Sequence, residues 1–147
     1  MNALPPTAIR LRWRARAGWL PLLALFAGCD LLGPAAPLPE SAVAFPAPAQ
    51  FQDWWARTEA CAGRTGRFES ITWYLVPGAS TFLSEGAVQV GRWSRSGSES
   101  RIVLAGALAG DELVVRHEML HALLDRGDHP PEYFVSRCGL TWESWGG

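Results

Sequence analysis

The stretch Asp111-Glu112-Leu113-Val114-Val115-Arg116-His117-Glu118-Met119-Leu120-His121-Ala122-Leu123-Leu124 decides how the rest of the chain is read. Leu113, Val114, His117, Leu120, His121 and Leu124 recur at three-to-four spacing and predict one broad face of an amphipathic helix. Asp111 suits the N-cap, and Glu112 suits the positive end of the helix dipole. The helix is expected to stop near Arg126-Gly127, where glycine permits a left-handed cap. Beyond His129, Pro130-Pro131 fit the first turn of a second short helix. Glu132 complements its dipole, and Tyr133, Phe134 and Arg137 carry it on to Cys138. The chain has three histidines, and this region holds all of them: His117, His121 and His129.

Upstream, Phe51 to Cys61 reads as a helix. Phe51, Trp54, Trp55 and Thr58 share a face, and Gly63 is a fitting stop. The Trp54-Trp55 pair is expected to pack in the core. Phe68 to Val76 is rich in β-branched and aromatic residues and ends at the turn signal Pro77-Gly78, so a strand is predicted. Ala87 to Trp93 alternates and predicts a second strand, and Arg101 to Ala105 a third. Ser94 to Ser100 is a polar loop or hairpin tip between them. Helix, strands and helices in that order make a small α+β domain over residues 51–147.

The N-terminal part carries different signals. Arg10, Arg12, Arg14 and Arg16 precede the short apolar run Gly18 to Ala27, the pattern of a secretory signal over residues 1–28. That run is too short for a bilayer span, which needs about 20 apolar residues. Phe26-Ala27-Gly28-Cys29 resembles a bacterial lipobox, which implies lipidation of Cys29 and a place in the bacterial cell envelope, facing the periplasm or exterior. Residues 29–50 are rich in Pro and Ala and nearly uncharged, and read as a semi-rigid linker. The chain has 147 residues, 13 Lys+Arg against 14 Asp+Glu, and every basic residue is Arg. Without residues 1–28, nine arginines face 14 acids, a net charge of −5. An acidic body tethered by lipid has membrane as a partner and not nucleic acid. With Cys29 assigned to lipid, Cys61 and Cys138 remain. In an oxidising compartment two cysteines predict one disulfide; a metal-ligand or nucleophile role is the weaker alternative, since neither sits among the histidines.

His117-Glu118-Met119-Leu120-His121 is an H-E-x-x-H inside the predicted helix. Four residues turn the helix by about 400°, so both imidazoles project from nearly one face. That spacing lets two neutral histidines grip one Zn²⁺. Glu118 lies on the adjacent face, where it can take a proton from water activated by the ion. A catalytic site needs a third protein ligand and an open fourth position. His129, just after a tight turn, is the first candidate, with Asp125 and Asp128 as competitors. Met119 is expected in the core.

H-E-x-x-H marks the zincin metallopeptidases, and Gly127-Asp128-His129-Pro130-Pro131-Glu132-Tyr133-Phe134 resembles the small zincins of SprT-like and minimal-gluzincin type. The likeness covers residues 111–138. The long metzincin form is not met, because Leu124 and Gly127 occupy its Gly and His positions. The resemblance implies a short, mainly antiparallel sheet against the active-site helix, a zinc cofactor and a peptide or protein substrate. It implies Glu118 as catalytic base and a peptide bound as an extra strand on a sheet edge. Arg101 to Ala105 is the candidate edge, with an ordinary core strand as the alternative. Tyr133, Tyr74, Arg116 and Arg137 are candidate oxyanion donors, although Tyr133, the nearest of them to a ligand, is expected rather to pack the second helix in the core. The competing function is a non-catalytic envelope lipoprotein that binds zinc or a partner on a zincin scaffold. Intact Glu118 favours the enzyme.

Overall fold

The computed structural model describes residues 37–141. The expected signal segment 1–28, Cys29 and the tail from residue 142 lie outside the described residues. The domain is α+β, with two long helices and a short C-terminal helix against a mixed four-stranded sheet, beside a two-stranded hairpin.

Helix α1 spans Gln50–Ala62 and buries Phe51, Trp54, Trp55, Thr58 and Ala62, the expected stripe. Gly63 closes it at φ 63°, a left-handed cap that glycine takes without strain. The strands are β1 Val43–Ala44, β2 Ile71–Val76, β3 Phe82–Ser84, β4 Ala87–Gln89, β5 Gly91–Ser96 and β6 Glu99–Ala105. The four-stranded sheet runs β1-β2-β6-β5. β1 and β5 pair antiparallel with their neighbours, and the central β2–β6 pair is parallel. β3 and β4 form a hairpin through Glu85-Gly86, whose φ values of 50° and 77° fit a two-residue turn of the kind that matches strand twist.

Several expected boundaries move. Phe68–Ser70 is a 3₁₀ turn, not the start of a strand. The expected strand 87–93 is two strands, because the chain changes partner at Val90, from β3 to β6. Val43 and Ala44, within the stretch read as a linker, pair with β2. Phe45 N–H bonds Trp73 O at 3.1 Å, and the Phe45 ring packs edge-on against Phe51. The packed unit thus takes in residues N-terminal to Phe51.

Helix α2 spans Glu112–Leu124, and the Asp111 carboxylate accepts from Leu113 N and Val114 N at 2.9 and 3.2 Å. It ends earlier than expected. Asp125 takes the left-handed conformation at φ 54°, and its N–H bonds His121 O. Aspartate tolerates that conformation better than most residues. Val115, Glu118 and Met119 are buried along with Val114, Leu120 and His121. Val114, Val115 and Met119 pack with Phe51, Trp54, Trp55, Trp73, Ile102 and Leu104 between the helices and the sheet. Leu120 packs on the other side with Ala62, Phe134 and Leu140. Covered on two sides, α2 buries more than one helical face. The short C-terminal helix, Glu132–Arg137, is π-type. A Cys61–Cys138 disulfide joins its end to the end of α1, with Cα atoms 5.1 Å apart.

Candidate metal centre

His117 and His121 stand one turn apart on α2, and the turn after Leu124 returns the chain so that His129 faces both. Their Nε2 atoms form a triangle with sides of 3.0 Å (His117–His129), 3.2 Å (His121–His129) and 3.2 Å (His117–His121). These three residues are the metal-capable group among the described residues. Tetrahedral coordination by imidazole at 2.0–2.1 Å requires nitrogens about 3.3–3.4 Å apart. The observed triangle is within a few tenths of an ångström of that.

Hydrogen bonding settles the tautomers of two rings. His117 Nδ1 lies 2.8 Å from Leu140 O, and His121 Nδ1 lies 2.8 Å from Arg126 O. A carbonyl oxygen only accepts, so each Nδ1 carries the proton and each neutral ring presents a bare lone pair at Nε2. Burial disfavours the charged form of both. The His117 pKa is lowered by desolvation, against the opposing effect of Leu140 O, and that of His121 is pushed down to about 4, chiefly by desolvation. Two lone pairs 3.2 Å apart repel one another unless a cation lies between them. The donor set therefore fits a metal ion held by three imidazole Nε2 atoms. His121 is buried, His117 half-buried and His129 exposed, so the group opens to solvent on the His129 side.

The rings have a floor and a wall. Phe134, fully buried, lies 5.0, 4.7 and 4.8 Å from the ring centroids of His117, His121 and His129. Trp93 of β5 lies nearly parallel to His121, at 12° and 6.3 Å. The competing ligands are engaged elsewhere: Asp125 pairs with Arg95, and Asp128 takes Arg126 in a two-pronged pair. Among His129, Asp125 and Asp128, only His129 reaches the other two rings.

Glu118 is 6% exposed, and desolvation pushes its pKa up to about 8, against the opposing effects of the Trp93 backbone N–H and the Arg92 charge. It faces β5. A Cβ on Gly91 would lie 2.8 Å from Glu118 Cγ and 2.9 Å from Oε1, so only glycine leaves room for the carboxylate there. Glu118, His121 and His129 line one cleft of about 400 Å³ with Gly91, Trp93 and Arg95.

The sheet edge beside this cleft is β5. Arg101 to Ala105 lies in β6, between β2 and β5, and is a core strand. Ala105 N–H bonds Val90 O at 2.8 Å, which sets the antiparallel phase. Arg92 and Ser94 then turn their backbone groups to β6, and Gly91, Trp93 and Arg95 turn theirs to the open edge. The candidate oxyanion donors do not line this cleft. Arg116 bonds Glu112 and Thr58, Arg137 bonds Ala62 O, Tyr133 accepts from Arg64, and Tyr74 packs beside Val76 and Phe82. Sequence reasoning missed Gly91, Trp93 and the floor Phe134. The first two lie in an alternating stretch and the third in an apolar helix turn, and neither pattern marks a site.

No family model, curated protein or solved structure matches the chain.

Proposed function

We propose that the chain is a zinc-dependent peptidase of zincin type, exported to a bacterial cell envelope and anchored there by lipid on Cys29. The observation that carries the proposal is Glu118, a buried carboxylate next to a metal-capable histidine and open to the same cleft as His121 and His129. A site that only holds an ion has no use for such a base, and desolvating a carboxylate is costly. Three imidazoles without thiolate, at near-tetrahedral spacing, favour zinc over harder ions, which prefer oxygen ligands.

When bound, zinc supplies Lewis acidity, which acidifies water and polarises a carbonyl. The chain's own residues supply the rest. His117, His121 and His129 hold the ion through Nε2, with Leu140 O and Arg126 O fixing two of the rings. A carboxylate oxygen of Glu118 takes the proton of the attacking water and passes it to the leaving amine. The Trp93 N–H and the space over Gly91 orient the carboxylate. The outward backbone groups of Gly91 and Arg95 can bind an extended peptide as an added strand. The Arg-rich start, the apolar run to Ala27 and Cys29 support export and lipidation, and the Cys61–Cys138 bond suits an oxidising compartment.

The test is Glu118→Gln. The proposal expects one zinc per chain in both proteins, and peptide-library cleavage by the wild type alone. Zinc binding without cleavage by the wild type would leave a non-catalytic zinc-binding envelope protein.

A further inference from the structure

Leu140 is fully buried with Ala62, Leu120 and Phe134, so the depth of its backbone is set by packing. Leu140 N–H bonds Phe134 O at 2.7 Å, and Leu140 O takes His117 Nδ1 at 2.8 Å. One short segment thus carries both the aromatic floor under the three imidazoles and the carbonyl that orients His117. Little secondary structure holds that segment. It comprises a six-residue π-type turn and Gly139 at φ 61°. Besides the packing of Ala62, a covalent bond and a hydrogen bond reach it from α1. Cys138, two residues from Leu140, is bonded to Cys61, and Arg137 donates to Ala62 O at 3.1 Å. The same end of α1 reaches the other flank of the site, where Arg116, next to His117, contacts Thr58 Oγ1 at 3.3 Å and Cys61 Sγ at 3.7 Å.

We infer that Phe134 and Leu140 are positioning residues of the metal centre, and that the Cys61–Cys138 disulfide sets its metal affinity by holding them against α2. This rests on the three histidines binding zinc. Cutting the bond lets residues 138–140 move off Leu120, and the Leu140 carbonyl moves with them. His117 then loses the partner that fixes its tautomer and ring angle. Losing such a ligand-orienting partner costs about 10–100-fold in metal affinity.

The experiment compares the wild type with Cys61→Ser/Cys138→Ser. Zn²⁺ affinity is read by competition with a chromophoric chelator, folding by near-UV circular dichroism, and the His117 Nδ1–H by its ¹⁵N-resolved proton resonance in the zinc-loaded protein. The expected result is a folded double variant that binds zinc about 10–100-fold more weakly, with a fast-exchanging Nδ1–H. A disulfide that only stabilises the fold would leave both readouts unchanged in the folded protein, and that result overturns the inference. If the double variant does not fold, Leu140→Ala with the disulfide intact releases the side chain that seats the carbonyl. It is expected to weaken zinc in the same direction, and unchanged affinity there is equally fatal. A wild type that binds no zinc would instead remove the metal-centre proposal on which the inference rests.

Discussion

Gly91→Ala is a sharp perturbation, because two effects of opposite sign meet at that residue. Replacing glycine by alanine within a strand normally stabilises a protein by about 0.5–1 kcal/mol, since the unfolded chain loses freedom. Here the added Cβ falls 2.8 Å from Glu118 Cγ, 2.9 Å from Oε1 and 3.1 Å from Cδ. Unstrained carbon contacts begin at about 3.5 Å, so Glu118 or β5 must give by about 0.7 Å. The β5–β6 ladder opposes strand movement, and Glu118 is enclosed on the α2 side. Overpacking of this kind costs about 1–3 kcal/mol, which outweighs the entropic gain and leaves a net loss of about 1 kcal/mol. A double-mutant cycle isolates the cause. In a Glu118→Ala background the clash is absent, and Gly91→Ala should stabilise or be neutral. The coupling read by denaturant unfolding of the metal-free proteins is expected at about 1–3 kcal/mol. In the zinc-loaded protein the displaced carboxylate should lower kcat/KM by about 100-fold with zinc content unchanged. Gly91→Ala stabilising equally in both backgrounds would refute the claim that Gly91 makes room for Glu118.

Other expectations follow from the same geometry. His129→Ala and His121→Ala should each weaken Zn²⁺ binding by at least about 100-fold in chelator competition, and Asp125→Ala and Asp128→Ala should change it little, because those carboxylates serve Arg95 and Arg126. With chelator present, Glu118→Gln should become progressively more stable than the wild type as pH rises. Below about pH 4.5 the carboxyl is protonated folded and unfolded; between there and about pH 8 only the unfolded form ionises, which draws the wild type toward unfolding. The gap should level off near pH 8 at about 3–5 kcal/mol, and a pH-independent gap in thermal unfolding would contradict the burial of Glu118. Phe134→Ala should cost about 3–5 kcal/mol in denaturant unfolding, as expected for a fully buried aromatic.

The part of the site written in local spacing was legible in the sequence. His117 and His121 share a helix face by arithmetic, and His129 follows a turn too short to carry it far. Asp125 and Asp128 stand behind His129 as competing ligands in the sequence, and Arg95, which claims Asp125, lies 30 residues away in the chain. The pairing of Cys61 with Cys138 followed from counting. Sheet order was not legible. Alternation runs unbroken through Ala87 to Trp93, so nothing local marks the change of partner at Val90. The parallel β2–β6 pairing, which puts β6 inside and leaves β5 as the edge, is a contact between segments about 30 residues apart. Gly91 reads as a weak spot in a strand until Glu118 is placed opposite it. Leu140 acts through a backbone carbonyl, which no side-chain pattern reveals.

The most direct measurement of the central claim is X-ray absorption at the zinc edge on protein loaded with one equivalent of Zn²⁺. Three imidazole nitrogens at about 2.0–2.1 Å and one oxygen ligand are expected, with one nitrogen lost in His129→Ala. An all-oxygen shell, or a spectrum indifferent to His129, would contradict the three-histidine centre.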